Sequence, residues 1–192
     1  MAHVNASVDL SRALAKLKMV ESEARAGIAR ALNKTMTTAR ATASDEIKSA
    51  GYGLKVGDIK GALSIRRADA RFLQAAVRAK GRPIPLIKYQ ARQTKKGVTV
   101  SVKGGRKLIA GAFIATMSSG HMGVFTRKKG MVQGKRGQPI LNRKLSHELF
   151  GPAVPGMFVQ DAVQRGTVAA IRTRFPVVLD QELAYLRSQG MA

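Results

Sequence analysis

Between Ala70 and His147 the chain contains no aspartate or glutamate, while 18 lysines and arginines fall in that stretch. The whole sequence has 34 Lys and Arg against 11 Asp and Glu, a formal net charge of +23, so the central stretch holds most of the excess and the two ends are near ordinary. Like charges at this density repel, and an isolated domain bearing them is destabilised by its own field. The pattern therefore predicts a negatively charged partner, either nucleic acid or an acidic protein surface. If the partner is nucleic acid, each phosphate contact releases counterions and binding falls steeply with salt. Sequence-specific reading is not expected, since no helix-turn-helix, zinc-finger or RNP pattern is present. The aromatic residues near the basic run are Phe72, Tyr89, Phe113 and Phe125. The three phenylalanines read as core residues at apolar strand positions. Tyr89, between Lys88 and Arg92, is the one position suited to stacking on a base.

A length of 192 residues suits one domain, with or without long helical extensions. Hydrophobic residues reach 45% but aromatics only 5%, which predicts a thin core of Leu, Ile and Val with a few Phe anchors. There are no cysteines, so disulfides, thiolate metal sites and thiol nucleophiles are excluded, in keeping with assembly in a reducing cytosol. The first residues, with Asp9 and no long apolar run, predict no signal peptide, and nothing approaches the length of a membrane span.

Catalytic constellations are not legible. His3, His121 and His147 lack partners at metal-ligand spacing. Ser146-His147-Glu148 is contiguous, but neighbours in sequence rarely form a dyad, and the HExxH spacing is missing. Glu21 and Glu23 do not share a helix face. Asp45-Glu46 and the pair Asp180 and Glu182 read as solvated helix positions. Gly104-Gly105 before Arg106-Lys107 lacks the P-loop pattern and reads as a hairpin turn. The sequence thus predicts no enzyme, no catalytic residue, no metal and no cofactor.

The periodicities predict an α+β chain with a long N-terminal helix, a central antiparallel β-sheet with a hairpin, and a C-terminal helix. In segments these are 1–50 helical, 51–156 basic and β-rich, and 157–192 helical, together forming one structural domain. The first helix is capped by Ser7 or Asp9 and carries Leu10, Leu14, Leu17, Ile28, Leu32, Met36, Ala39, Ala43 and Ile47 at steps of three and four. Gly27 is a place for a bend or split, and Gly51 and Gly53 end the run. Val56–Leu63 reads as a short helix and Ser64–Ile65 as the start of a strand. Phe72, Ala76 and Val77 sit in a segment that is either strand or helix. Leu86–Tyr89 reads as short and extended after Pro83 and Pro85. Val98–Val102 alternates apolar and polar residues and pairs back on Leu108–Ile109. Ala112–Met117 and Met122–Thr126 flank Ser118–His121 as a hairpin. Arg127–Gln138 reads as a basic loop. A C-terminal helix is expected from about Met157 to Arg174, on a face of Val159, Ala162, Val163, Ala170 and Ile171, with Pro176 breaking or kinking it and Val177–Leu186 continuing as a last helix.

Several pieces occur in one order that resembles the minor tail protein Z family of tailed bacteriophages. They are the Ala-rich run Ala29–Ile47, the segment Lys55–Ala68 with Ile59, Lys60, Leu63, Ile65 and Arg67, and Arg82-Pro-Ile-Pro-Leu-Ile-Lys88. They continue with Val98–Ala115, Gly120–Gly130 and Pro152–Phe158. Gly111-Ala-Phe-Ile114 and Gly123-Val-Phe-Thr-Arg127 are the most specific. Gly111 and Gly123 permit unusual φ or close approach, Phe113 and Phe125 would face one core across a hairpin, and Pro152 and Pro155 stiffen the turn into the last helix.

The resemblance implies a tail or neck component of the virion, assembled in the host cytoplasm, that completes the tail and couples it to the head. It further implies a ring of copies, commonly sixfold, touching the tail tube or terminator and the head-tail connector, with no membrane partner. Non-specific contact with DNA in the channel is part of that expectation. The residues expected to face the channel or a partner are Lys95, Lys96, Arg127, Lys128, Lys129, Lys135 and Arg136. The competing reading is a free, sequence-nonspecific nucleic-acid-binding protein.

Overall fold

The computed structural model describes residues 3–127, 130–133, 139–142 and 146–189. Helix α1 runs unbroken from His3 to Ser49. Then come α2 (Val56–Ala62), β1 (Leu63–Arg66), β2 (Ala76–Ala79) and β3 (Ile84–Pro85), and a 3₁₀ turn at Leu86–Lys88. The strands β4 (Arg92–Thr94), β5 (Gly97–Val100), β6 (Lys107–Ala110), β7 (Ala112–Thr116) and β8 (Met122–Arg127) follow. After β9 (Gly130–Gln133), β10 (Pro139–Asn142), β11 (Ser146–Glu148) and β12 (Phe150–Gly151), the chain closes with α3 (Val154–Phe158) and α4 (Asp161–Ser188). The class is mixed α+β, with several small antiparallel sheets rather than one large one. Their strand orders are β1-β2, β10-β9, β11-β8-β7, β12-β3 and β4-β5-β6.

The chain divides into two compact units. The first comprises residues 1–43, 64–78 and 164–192. Its buried residues include Ala31, Met36, Ala39 and Ala43 of α1 and Val178 and Leu186 of α4. Small side chains let helices approach closely, and Gly27 supplies the tightest case. A Cβ there would lie 2.9 Å from a Leu186 methyl. Gly27 therefore does not split α1. It accepts a side chain of α4. One turn along, the buried Glu182 carboxylate accepts from Arg30 Nε at 2.7 Å and from Lys34 Nζ at 2.6 Å. Glu182 is thus not the solvated helix position its sequence context predicts.

Asn33 of α1 clamps the backbone of buried Ala68: its Nδ2 donates to the Ala68 carbonyl at 2.9 Å and its Oδ1 accepts the Ala68 N–H at 2.8 Å. Asn33→Ala leaves both backbone groups without that partner. It is expected to destabilise the protein by about 1–3 kcal/mol, read as a lower midpoint in urea denaturation.

Asp69 accepts the N–H groups of Arg71 and Phe72, a local turn that carries Phe72 outward. Phe72 is 69% exposed and does not join the core as expected. Pro176 lies inside α4 and does not end it. Pro176 and Arg172, whose carbonyl loses its helical N–H partner, are both exposed, so the freed carbonyl is open to solvent. Of the predicted apolar face, Val163 is buried, but Val159 precedes α4 and is 68% exposed, and Ala162 is also exposed.

The second unit comprises residues 44–63 and 79–163. Its core includes Ile47, Leu54, Ile59, Leu63, Leu86, Val98, Val100, Val124, Val154 and Met157. Leu86–Lys88 is a 3₁₀ turn rather than extended, and the Leu86 N–H donates to the Leu149 carbonyl at 2.9 Å. Residues 130–133 pair with 139–142 as antiparallel strands where a loop was expected.

Candidate functional site

The sheet β4-β5-β6 gathers the described part of the basic stretch. Val98 and Val100 of β5 are buried, so by strand alternation Thr99 lies on the opposite, outer face. Its direct neighbours are Arg92 on β4 and Leu108 on β6. Arg106 precedes β6 and reaches over this face. Its Nη1 donates to the Gln90 carbonyl at 3.0 Å and to Thr99 Oγ1 at 3.2 Å, which holds the guanidinium in place. Lys95 and Lys96 form the exposed turn between β4 and β5, and Lys103 and Lys107 are exposed beside Arg106. Among the described residues no ion pair reaches Arg92, Lys95, Lys96, Lys103, Arg106 or Lys107. Like charges are thereby held on one small sheet with no carboxylate set against them.

Two features pin this sheet. Gln93 is exposed but reaches across to β7, where its Oε1 accepts the Ile114 N–H at 2.8 Å, and its Nε2 donates to the carbonyls of Thr94 and Gly97. Gly111, between β6 and β7, has φ +70 and donates its N–H to the Lys96 carbonyl at 3.1 Å. A left-handed residue is what lets β6 turn directly into β7, and glycine adopts it without the Cβ penalty.

The other sequence-predicted residues lie elsewhere. Phe113 and Phe125 are direct cross-strand neighbours of β7 and β8, with ring centroids 6.2 Å apart. Phe125 is buried, while Phe113 is half-buried and carries the Arg127 guanidinium 5.1 Å from its ring centre. A Cβ at Gly123 would lie 2.6 Å from a Glu148 carboxylate oxygen, and the bare backbone leaves room for that side chain to reach His121 Nε2 at 2.8 Å. No local pattern points to this pairing, because the partners lie 27 positions apart. Pro152 offers its carbonyl to the Tyr89 hydroxyl at 2.6 Å, and Pro155 sits in the first turn of α3. Lys128, Lys129, Lys135 and Arg136 lie outside the described residues.

Tyr89 is wholly buried and is not a stacking platform. Burial, with a smaller contribution from Tyr52, pushes its phenol well above the ordinary tyrosine value, so it remains a hydrogen-bond donor. Arg92, Arg106 and Lys107 were missed as members of the surface. Part of the signal was available, since pairing Val98–Val102 with Leu108–Ile109 carries Arg106 and Lys107 onto the same small sheet as Lys95 and Lys96, at its opposite end.

A separate cleft of about 570 Å³ is lined by Lys48, Lys55, Lys88 and Asp58 over Leu54, Ile87 and Met122. Lys88 is paired with Asp58 at 2.6 Å, and Lys48 donates to the Leu54 carbonyl. Among the described residues no group of three or more His, Cys, Asp or Glu could hold a metal ion, and no helix is long and apolar enough to cross a membrane.

A basic α+β chain with this order of motifs fits the class of bacteriophage tail structural proteins. The sequence matches prophage minor tail protein Z (GPZ) over residues 9–188, and the chain belongs to that family. It is a minor tail structural protein of the phage virion. No curated protein and no solved structure matches the chain.

Proposed function

We propose that this minor tail protein completes the phage tail and couples it to the head-tail connector. In this reading copies assemble in the host cytoplasm as a ring, a hexamer, at the neck. The outer face of β4-β5-β6 lies against a negatively charged neighbour or the DNA channel. The observation that supports the reading most is the set of cations on that sheet without carboxylate partners, in a chain of the minor tail protein Z family. A field of one sign is destabilising alone and favourable against a complementary surface.

The test neutralises Lys95, Lys96 and Arg106 together as Lys95→Gln, Lys96→Gln and Arg106→Gln. The triple variant is expected to melt near the wild-type temperature but to lower the yield of joined, infectious particles by about tenfold or more, as loss of roughly 1.4 kcal/mol of contact energy would. Unchanged particle yield overturns the role of this face. Gel filtration with light scattering tests the ring. A lone monomer that binds duplex DNA tightly at physiological salt points instead to a free nucleic-acid-binding protein.

A further inference from the structure

We propose that the free edge of β6 is a docking strand for an extended acidic segment of a neighbouring tail protein, added to the sheet as a further strand. The proposal rests on the function proposed above for the neighbour's identity and deepens it by naming the partner's chemistry.

β6 ends the sheet order β4-β5-β6 and, among the described residues, pairs only with β5. The Gly111 N–H bond to the Lys96 carbonyl fixes the phase of this antiparallel ladder. Counting back in twos, Ile109 and Lys107 exchange hydrogen bonds with β5, so Leu108 and Ala110 turn their N–H and C=O groups away from it. Among the described residues no hydrogen bond outside the ladder engages those groups. The strand is open to solvent: Leu108 is 49% exposed, and Lys107 and Ala110 are also exposed. Unpaired edge groups are the template used when a peptide joins a sheet.

Charge selects the occupant. Arg106 and Lys107 stand at one end of the edge. Lys95 and Lys96 stand at the other, brought there by the Lys96–Gly111 bond. Cations on an edge deter indiscriminate strand pairing, and those same cations favour an acidic strand. A second copy is disfavoured, because antiparallel pairing of two β6 edges sets Arg106 and Lys107 of one beside Lys95 and Lys96 of the other. Duplex DNA would satisfy the charges but leave Leu108 uncovered, and no exposed aromatic residue stands on this face. An extended segment alternating acidic and apolar residues meets the charges, the backbone groups and Leu108 together.

The probe is a synthetic peptide alternating glutamate and valine, added to the full chain, with amide hydrogen exchange read at Leu108 and Ala110. Near saturation those two amides are expected to slow by about tenfold. A peptide of the same charge interrupted by prolines should leave them unprotected. Leu108→Pro removes an outward N–H without touching the β5 ladder, a position where edge strands tolerate proline. It should abolish protection at Ala110 and exclude the protein from tails, whereas Leu108→Thr, which keeps the N–H, should retain protection. Circular dichroism checks that both variants fold. If Leu108→Pro does not fold, the proline-interrupted peptide on the wild-type chain decides.

Equal protection by both peptides, no protection by either, or protection by duplex DNA instead overturns the docking strand. Failure of the wider reading is separable. In that case the Lys95, Lys96 and Arg106 triple variant still builds normal particles, while the alternating peptide continues to protect the wild-type edge.

Discussion

Gly97→Ala destabilises the second unit by about 3 kcal/mol or more, the largest effect expected of any single methyl group here. Gly97 opens β5 with φ +152, a backbone angle that residues with a side chain rarely adopt. Such strain costs roughly 1–3 kcal/mol. A Cβ at this position would also collide with the Ile109 carbonyl oxygen and approach the Ala110 Cα to 3.0 Å. Both belong to the backbone of the paired strand and cannot rotate away, and overpacking of this kind costs about 1–3 kcal/mol more. A fall in melting temperature of roughly 6–12 °C is expected for a chain of this length. Exchange should rise along β4 and β5 before the rest of the unit opens. Gly104→Ala is the control: φ is +67, but nothing lies within 4 Å of the added methyl. That variant is expected to lose about 1 kcal/mol. Equal losses for the two would show that the crowding against β6 is not what matters.

Glu182→Ala is expected to destabilise the first unit by about 2 kcal/mol at neutral pH, the range for hydrogen bonds to charged groups. The carboxylate side chain is 6% exposed, whereas Arg30 and Lys34 are 44% and 64% exposed. The two cations therefore regain water when it is removed, and the loss stays below that of a wholly buried pair. Burial pushes the Glu182 carboxyl up, but hydrogen bonds from Lys34 and Arg30, with their charges, outweigh it and hold the group below the usual glutamate value. Stability linked to a depressed carboxyl is present above the unfolded value, about 4.3, and is lost as pH falls through the lower folded value. Wild type and Glu182→Gln should therefore differ most near neutrality and converge under acid. Urea midpoints measured at neutral pH and below pH 4 check this. A difference that does not shrink in acid would show that packing, not charge, carries the effect.

Local patterns were readable in the sequence, and tertiary ones were not. Val98-Thr-Val100 alternates with period two and forms β5, and apolar runs on both sides of Ser118–His121 form the β7–β8 hairpin. Lys95 and Lys96 fall on a turn because Gly97 follows them. In contrast, Leu86–Lys88 winds into a 3₁₀ turn whose first N–H is held by Leu149, far along the chain. Phe72 leaves the core because the Asp69 carboxylate organises the turn beneath it. Glu182 reads as a surface acid until Arg30 and Lys34, about 150 positions earlier, are placed against it. The candidate surface was half legible: its excess charge stands out in the composition, but Arg106's fixed position over Thr99 depends on strand register.

The seat that Gly27 makes for Leu186 also indexes α1 and α4 lengthwise. Going forward on α1 from Gly27 to Arg30 and Lys34 means going backward on α4 from Leu186 to Glu182, so the helices run in opposite directions. Sliding one past the other by a helical turn, about 5.4 Å, would lift Leu186 from the notch at Gly27 and part Glu182 from both cations in the same movement. A steric key and an electrostatic key thus forbid the same slip.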